Sequence, residues 1–253
     1  MRSNLTSKNP LVSVVIRTKN EQVWIGKVLE KLYEQTFKDF EVIIVDSGST
    51  DKTLEIIKKF PVKLIQIKPE EFNYSYALNI GGKHAGGKYL CIICANTIPI
   101  SRTWIADGLK NFEDNRVAGV SGWGWYSSLP LGFLPTNLLE KLTKISFVPY
   151  EQEKKRFFPW MTNTNAIIRK DLWQQYPFDE KLKGAEDYDW ASEMIARGYD
   201  IVKEPKFNVF HSHFLTGKPG YLARVPIWKK LVVEIDKRTR PRKSFTRLSR
   251  AST

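Results

Sequence analysis

Two adjacent acids, Glu186 and Asp187, open a predicted helix over residues 186–197. A carboxylate in such a place can act as a general base and accept the proton of a hydroxyl group that attacks an electrophilic carbon. The positive end of the helix dipole favours the charged form of the acid, so we expect a lowered pKa. Acids are also common in the first turn of helices without any catalytic role, so the pair alone leaves both interpretations open.

Two histidines, His211 and His213, follow a predicted strand and are separated by one residue. Side chains two positions apart in an extended chain point to the same side, so both imidazoles are expected to face the same way. Imidazole is a frequent metal ligand. We therefore expect a site role for the pair, with His211 ahead of His213, although a lone histidine is more often structural.

These groups must be positioned by the elements around them, which alternate between apolar runs and amphipathic helices. The predicted strands cover residues 11–16, 41–45, 62–67, 89–94, 117–121 and 165–169. Continuous apolar runs of this length are typical of parallel strands that are covered on both faces. The alternation predicts an α/β fold, a single Rossmann-like domain with a mostly parallel central sheet flanked by helices. Ligands of such sheets bind beyond the carboxyl ends of the strands.

Polar residues stand near those ends. Asp46 ends the second strand, where a carboxylate can accept the N3–H of a uracil or thymine ring and so discriminate the base. An Asx turn that caps the next helix is the alternative role for this aspartate. Asn79 precedes Gly81 and Gly82, which let a backbone approach a diphosphate closely. Simple packing is the alternative explanation for these glycines.

The motifs and apolar segments of the sequence argue against several classes of protein. No GxGxxG fingerprint or glycine-rich phosphate loop follows a strand, and no apolar run reaches the length of a membrane span. The start of the chain lacks the apolar core of a signal peptide, so we expect a cytoplasmic protein. Cys91 and Cys94 lie within an apolar run, which favours a structural role over a redox or zinc site.

The formal net charge of +13 is concentrated near the end of the chain, because residues 229–253 hold nine basic and two acidic residues. We expect an amphipathic helix near residues 221–237 and a poorly ordered basic tail over residues 237–250. Such a tail can bind an anionic membrane surface, on the inner face of the membrane, or can simply be solvated. Nucleic acid is a less favoured partner, because the charge lies in a tail and no RNA-binding motif occurs.

Four segments occur in an order and at spacings that resemble the family 2 glycosyltransferases of the GT-A fold, especially the rhamnosyltransferase-like branch. The segments are LVSVVIRTKNE, FEVIIVDSGSTDKT, NYSYALNIGGKHAGGKYL and GAEDYDWASEMIARG. The resemblance covers residues 10–215 and leaves residues 216–253 as a C-terminal amphipathic helix and basic tail. It implies transfer of a hexose or deoxyhexose from a UDP- or dTDP-sugar to a hydroxyl of a glycan or lipid-linked acceptor, with inversion at the anomeric carbon.

The resemblance also implies roles for individual residues. Asp187 would be the catalytic base, and Glu186 would hold the acceptor. Trp190, one turn further along the helix, would pack the helix or stack on the acceptor, and Asn165 belongs to a segment that flanks the acceptor. The residues expected near the nucleotide are Thr18, Asn20, Asp46, Asn79 and Asn96.

The expected metal motif is altered in this sequence. The family places an aspartate after the fourth strand, where it holds Mg²⁺ or Mn²⁺ against the diphosphate, and Asn96 stands at that position. An amide oxygen can ligate a hard cation but brings no charge, so we expect weakened metal affinity, with His211 and His213 as further ligands. Three outcomes follow: a weakly metal-dependent enzyme, a metal-independent enzyme that uses basic side chains, or a catalytically impaired relative that binds nucleotide sugar or glycan. The intact pair Glu186 and Asp187 favours an active enzyme.

Overall fold

The computed structural model describes residues 10–122, 124–126, 134–138, 160–211 and 225–251, with side chains described only as far as residue 239 in the last range. Within these ranges, ten strands form two sheets. They are β1 (Val12–Thr18), β2 (Phe40–Asp46), β3 (Lys63–Gln66), β4 (Tyr89–Cys94), β5 (Thr97–Pro99), β6 (Val117–Ser121), β7 (Gly124–Tyr126), β8 (Asn165–Arg169), β9 (Asp200–Lys203) and β10 (Val209–His211).

Seven of the strands form the central sheet, in the order β3-β2-β1-β4-β8-β6-β9. The pairs among β3, β2, β1 and β4 are parallel, and so is the pair of β6 with β9. Only β8 runs antiparallel to its two neighbours, β4 and β6. The prediction of a mostly parallel central sheet is therefore confirmed.

Helices cover both faces of this sheet because its central strands are apolar on both sides. The helices are α1 (Ile25–Tyr33), α2 (Thr53–Ile57), α3 (Tyr74–Lys83), α4 (Trp104–Leu109), α5 (Lys170–Gln175), α6 (Glu186–Ala196) and α7 (Val225–Ala251). Val14 and Ile16 of β1 belong to the core beneath α1 and α4, whereas Val15 belongs to the core beneath α3, α5 and α6. This alternation follows from the two-residue period of a strand.

The glycines of α3 serve packing. A Cβ atom on Gly81 would overlap Val15 of β1, and a Cβ atom on Gly82 would lie 2.6 Å from the ring of Trp173 in α5. Glycine therefore lets α3 lie close against the sheet and against α5. The structure favours the packing explanation for this pair over close approach to a diphosphate.

Two features differ from the prediction. A second sheet of three short strands, in the order β5-β10-β7, lies beside the central one. The prediction of a poorly ordered tail over residues 237–250 was also wrong, because α7 continues as a helix to Ala251. Lysine and arginine are good helix formers, so a basic composition does not end a helix. In the part of the chain described, no helix is long and apolar enough to cross a membrane.

Candidate functional site

A cavity of about 620 Å³ opens beyond the carboxyl ends of β1 and β4. Its walls also come from the loop before β8, the first turn of α6, the end of β10 and the beginning of α7. Five of the predicted site residues line this cavity: Thr18, Asn96, Glu186, Asp187 and His211. The parallel sheet brings the first two together, because β1 and β4 are neighbours and end at the same edge.

The acidic pair is aimed into the cavity by an unusual turn. Gly184 has a φ of 139° and Ala185 has a φ of 58°, so the chain enters α6 through two residues in left-handed or related conformations. Only glycine adopts the first of these readily, which explains its presence before the helix. The turn places Glu186 and Asp187 on the cavity wall.

Both oxygens of Asp187 accept hydrogen bonds from backbone N–H groups. The N–H of Asn163 donates to Oδ2 at 3.0 Å, and the N–H of Tyr188 donates to Oδ1 at 2.8 Å. Glu186 is held separately, because its Oε1 accepts a hydrogen bond of 3.2 Å from the side-chain amide of Asn163. Asn163 thus fixes both carboxylates in place.

The pKa of Asp187 is raised to about 7, chiefly by burial and then by the adjacent Glu186 carboxylate, against the two backbone N–H groups and Arg17, which lower it. The prediction of a lowered pKa was therefore wrong. The helix dipole lowers the pKa of Asp187, but this effect is smaller than the rise caused by loss of water and by the like charge of the preceding residue, Glu186. A general base with a pKa near neutrality is well matched to proton transfer at physiological pH.

Arg17 is a site residue that the sequence analysis did not single out. Its side chain is 12% exposed and lines the cavity, with Nη1 3.7 Å from Oε1 of Glu186. Nη2 donates to the sulfur of Cys94 at 3.6 Å, and the guanidinium lies 4.7 Å from the centre of the Tyr74 ring. An arginine near the end of a mostly apolar strand is the signal that could have identified it, because a buried charge requires partners.

The cysteines are free, and burial raises the pKa of both thiols. A raised pKa disfavours the thiolate that redox or metal chemistry requires, in agreement with a structural role. Cys94 nevertheless lines the cavity and contacts Arg17.

Of the five residues expected near the nucleotide, Thr18 and Asn96 line the cavity, whereas Asn20, Asp46 and Asn79 do not. Thr18 lines the cavity, and its buried hydroxyl has no hydrogen-bond partner among the described residues. Asp46 is fully buried behind Ser47, which lines the cavity in its place. The carboxylate of Asp46 accepts hydrogen bonds of 3.0 Å from the N–H groups of Gly48 and Ser49, and another from the Ser49 hydroxyl. This is the Asx turn that was the alternative role for Asp46.

Asn20 joins two loops at the edge of this region. Its backbone φ is 52°, and its Oδ1 accepts a hydrogen bond of 2.8 Å from the N–H of Thr50. Its own N–H donates to the hydroxyl of Ser49. Asn20 therefore fixes the loop after β1 to the loop after β2, and its side chain is not part of the cavity wall.

Asn79 lies outside the cavity. Its amide nitrogen donates at 2.8 Å to the carbonyl of Phe178 and to the carboxylate of Glu180. Its amide oxygen accepts from the N–H of Phe178 and from the indole of Trp173. All hydrogen-bonding positions of the amide are thus used inside the protein, and Asn79 ties α3 to the segment after α5.

Two expected acceptor residues are also buried away from the cavity. Trp190 is 0% exposed and packs in the core beneath α6, which leaves packing as its role and excludes stacking on an acceptor. Asn165 is 0% exposed as well, and its amide donates to the carbonyl of Phe207 at 2.6 Å. The polar residues near the acidic pair are instead Thr162, Asn163 and Thr164, all on the cavity wall.

The residues expected to hold a metal ion are partly brought together. Asn96 and His211 line the same cavity, because His211 of β10 pairs in register with Thr97 of β5. His213 lies outside the described residues. Within the described ranges, no three His, Cys, Asp or Glu side chains converge in a way that could hold a metal ion. A neutral amide, an imidazole and a nearby guanidinium form a poor donor set for Mg²⁺ or Mn²⁺.

Comparisons with known proteins agree with this geometry. Residues 13–176 match the family model described as glycosyl transferase family 2. The chain is 29% identical over 231 residues to an uncharacterized glycosyltransferase of Methanocaldococcus jannaschii, with 85% of this chain and 74% of the relative covered. It is 29% identical over 195 residues to the O-antigen chain rhamnosyltransferase WbaN of Salmonella anatum, with 74% and 61% covered.

A third relative is a dolichyl N-acetyl-alpha-D-glucosaminyl phosphate 3-beta-D-2,3-diacetamido-2,3-dideoxy-beta-D-glucuronosyltransferase of Methanococcus voltae. It is 25% identical over 227 residues, with 80% of this chain and 66% of the relative covered. The chain thus spans 61% to 74% of the length of these three relatives.

Solved structures show the same fold at lower identity. The mannosyltransferase PcManGT from Pyrobaculum calidifontis, in complex with GDP-Man and Mn²⁺, superposes with a TM-score of 0.63 at 23% identity and covers 86% of this chain. S. aureus TarS 1–349 in complex with UDP-GlcNAc gives a TM-score of 0.64 at 18% identity and covers 84%. This chain spans 60% of each of those two chains. The predicted GT-A architecture is confirmed.

Proposed function

The chain belongs to glycosyl transferase family 2, whose enzymes use nucleotide-sugar donors, and we propose that it is an inverting transferase of this kind. It moves a hexose or deoxyhexose from a UDP- or dTDP-sugar to a hydroxyl group of a glycan or lipid-linked acceptor. The observation that carries the proposal is Asp187, a carboxylate on the wall of the main cavity with a pKa of about 7.

The chemistry follows from that position. The acceptor hydroxyl gives its proton to the carboxylate of Asp187 while its oxygen forms a bond to the anomeric carbon of the donor sugar. The bond between that carbon and the diphosphate oxygen breaks, and the nucleoside diphosphate leaves with the electron pair. Attack from the face opposite the leaving group inverts the anomeric configuration. The N–H groups of Asn163 and Tyr188 keep the base in its orientation throughout.

The donor is proposed to bind beside the ends of β1 and β4. Thr18 and Asn96 line the cavity there, and the buried hydroxyl of Thr18 has no hydrogen-bond partner within the described part of the chain. Asp46 and Asn20 shape the two loops that border this region, through the hydrogen bonds that they make within the protein. Asn79 is assigned a structural role, because its amide is fully used away from the cavity.

The charge of the leaving diphosphate needs a cationic partner. The donor set around Asn96 and His211 does not fit a tightly held divalent cation, so no step of the proposed mechanism passes through a metal ion. Arg17 and Lys19 line the cavity and can supply positive charge instead. Preorganised cations of this kind stabilise negative charge that develops in a transition state.

The acceptor class is supported by the relatives. One is named for transfer in an O-antigen chain and another for transfer to a dolichyl phosphate-linked sugar. We propose that the present chain uses an acceptor of this class, a glycan or a lipid-linked sugar. We also propose that it belongs to the rhamnosyltransferase-like branch of the family. The catalytically impaired alternative is not favoured, because the base and the residues that hold it are in place.

The test is a donor panel. The purified chain is incubated with UDP-, dTDP- and GDP-sugars and with glycan or lipid-linked acceptors, and release of nucleoside diphosphate is measured. We expect release with a UDP- or dTDP-sugar only when acceptor is present, and NMR of the product should show an inverted anomeric centre. A retained configuration would refute the mechanism. Binding of UDP or dTDP without turnover of any donor would establish the impaired alternative.

A further inference from the structure

Large apolar side chains are exposed near the cavity. Five such side chains are exposed in the described part of the chain, and Leu138 is the one with no evident relation to the cavity. Trp160 and Phe72 line the cavity with 56% and 37% of their surface exposed. Ile227 and Val233, 55% and 54% exposed, are the sequence neighbours of Trp228 and Val232 in α7, which line the cavity. Successive residues of a helix point about 100° apart, so Ile227 and Val233 lie on the exposed side of α7 and not on the cavity wall. Exposed apolar side chains on neighbouring elements can form an interaction surface.

Helix α7 is fixed against the catalytic helix, so its outward face is defined. The hydroxyl of Tyr188 in α6 donates to Asp236 of α7 at 2.8 Å. Arg238 of α7 forms an ion pair with the fully buried Asp189 of α6. Because Tyr188 and Asp189 directly follow Asp187, the position of α7 is tied to the position of the catalytic base.

The outward side of α7 is basic. Lys229, Lys230 and Lys237 are exposed. Helix geometry places Lys230 and Lys237 on the side opposite the buried Ile235 and Thr239, and Lys229 on the flank between the two sides. Residues 225–251 as a whole contain nine basic and two acidic residues. A cluster of basic residues on an exposed helix is attracted to the negatively charged surface of an anionic bilayer. Lysine stems also extend along apolar material while their charges stay in water.

We propose that this surface docks on an anionic phospholipid bilayer, with the cavity beside the docked face of α7. We call it the rim surface, and it comprises Phe72, Trp160, Ile227, Lys229, Lys230, Val233 and Lys237. A lipid-linked acceptor then enters the cavity from the bilayer, with its sugar directed to Asp187. The role in acceptor delivery rests on the proposed function, whereas docking on the bilayer does not depend on it.

Vesicle sedimentation tests the docking. The full chain is mixed with phosphatidylcholine vesicles that contain or lack phosphatidylglycerol. We expect strong binding only to the anionic vesicles. The triple variant Lys229→Glu, Lys230→Glu, Lys237→Glu should reduce partitioning on the order of 100-fold, because each basic residue near such a surface contributes about 1 kcal/mol. The double variant Ile227→Ser, Val233→Ser should weaken binding even at high salt, where charge attraction is screened.

A matched control distinguishes an effect of the rim surface from an effect of net charge on vesicle binding. Lys52, Lys58 and Lys59 are also exposed, lie just before or just after α2, and do not line the cavity. Their reversal to glutamate changes the net charge by the same amount and should leave vesicle binding nearly unchanged. Equal loss in both triple variants would overturn the proposal. The proposal would also be overturned if the chain bound RNA and not vesicles, and if the triple variant Lys229→Glu, Lys230→Glu, Lys237→Glu lost that RNA binding.

An assay with a water-soluble acceptor keeps the two proposals apart. With that acceptor, the triple variant Lys229→Glu, Lys230→Glu, Lys237→Glu should release nucleoside diphosphate at the rate of the unmodified chain. With a vesicle-embedded acceptor it should lose activity. This pair of results would support the docking proposal. Vesicle binding without any transferase activity would refute the proposed function and leave docking intact. Transferase activity without vesicle binding would refute docking alone.

Discussion

Nη1 of Arg17 lies 3.7 Å from Oε1 of Glu186, which joins the end of β1 to the first turn of α6. Asp187 is the next residue, so one guanidinium and two carboxylates share one cavity wall. The two acids have different surroundings, because Glu186 is paired with Arg17 whereas Asp187 accepts only backbone hydrogen bonds in the described structure. Neighbouring acids with different surroundings are a common basis for different roles in a reaction.

The first prediction concerns the base itself. Asp187→Asn should lower kcat roughly 10²- to 10⁴-fold, because an amide cannot accept the acceptor proton. Donor binding, measured by calorimetry with UDP or dTDP, should stay within a few-fold of the unmodified protein. Asp171→Asn is the matched control, since Asp171 also lies in the first turn of a helix but is exposed beside Arg169. An unchanged kcat in Asp187→Asn would remove Asp187 from the mechanism.

The second prediction is a pH dependence. A general base works in its deprotonated form, and the pKa of Asp187 is raised to about 7. The value of kcat/KM should therefore rise with pH through about 7 and level off above it. An aspartate with an ordinary pKa would give a rate that is already level at pH 5 to 6, on the scale of unperturbed carboxylates near 4. A profile of that kind would contradict the assigned base.

The third prediction uses Arg17. The positive charge of Arg17 lowers the pKa of Asp187. Arg17→Met removes that charge, so the acidic limb of the kcat/KM profile should move to higher pH. Arg17→Lys should restore part of the shift. A merely structural role would lower activity without moving the limb.

The control for that experiment is Arg116→Met. Arg116 is exposed and pairs with Asp114 before β6, away from the cavity. Its replacement should leave both the rate and the pH profile unchanged. A limb that moved in both variants would show that net charge, and not the contact with Glu186, controls the base.

The fold was predictable from the sequence because its signals are local. Apolar runs such as that of β1 and the acids at the start of α6 identify the elements and the edge where ligands bind. The cavity brings together Thr18, Asn96, Glu186, Asp187 and His211, each of which ends or follows a strand or begins a helix. Such positions follow from chain order and strand direction alone.

The remaining site features depend on depth and on contacts between distant segments. Asn79 of α3 binds Phe178, which follows α5, and this contact depends on α3 lying close to β1 and α5, where Gly81 and Gly82 face Val15 and Trp173. The pKa of Asp187 depends on burial, which no local pattern reports. Arg17 was visible in the sequence, but its partners Cys94 and Glu186 lie 77 and 169 positions away along the chain.

The fourth prediction restores a carboxylate next to His211. Asn96→Asp should tighten Mn²⁺ binding by an order of magnitude or more, because a charged oxygen ligand replaces a neutral one. Electron paramagnetic resonance of Mn²⁺ in the absence of nucleotide measures this directly. Asn96→Ala is the control and should bind Mn²⁺ no more tightly than the unmodified chain. Equal affinity in Asn96→Asp and the unmodified chain would show that this position does not face a cation site.

The fifth prediction separates structure from nucleotide binding at Asn79. Asn79→Ala should lower the free energy of unfolding by roughly 1–3 kcal/mol, because it leaves buried hydrogen-bonding groups of Phe178 and Trp173 without a partner. Urea denaturation measures the loss. Asn115→Ala, at an exposed position, is the control and should cost little. Below the unfolding transition the Asn79 variant should still bind nucleoside diphosphate with nearly unchanged affinity, because its side chain lies outside the cavity. A variant of normal stability that has lost nucleotide binding would return Asn79 to the nucleotide site.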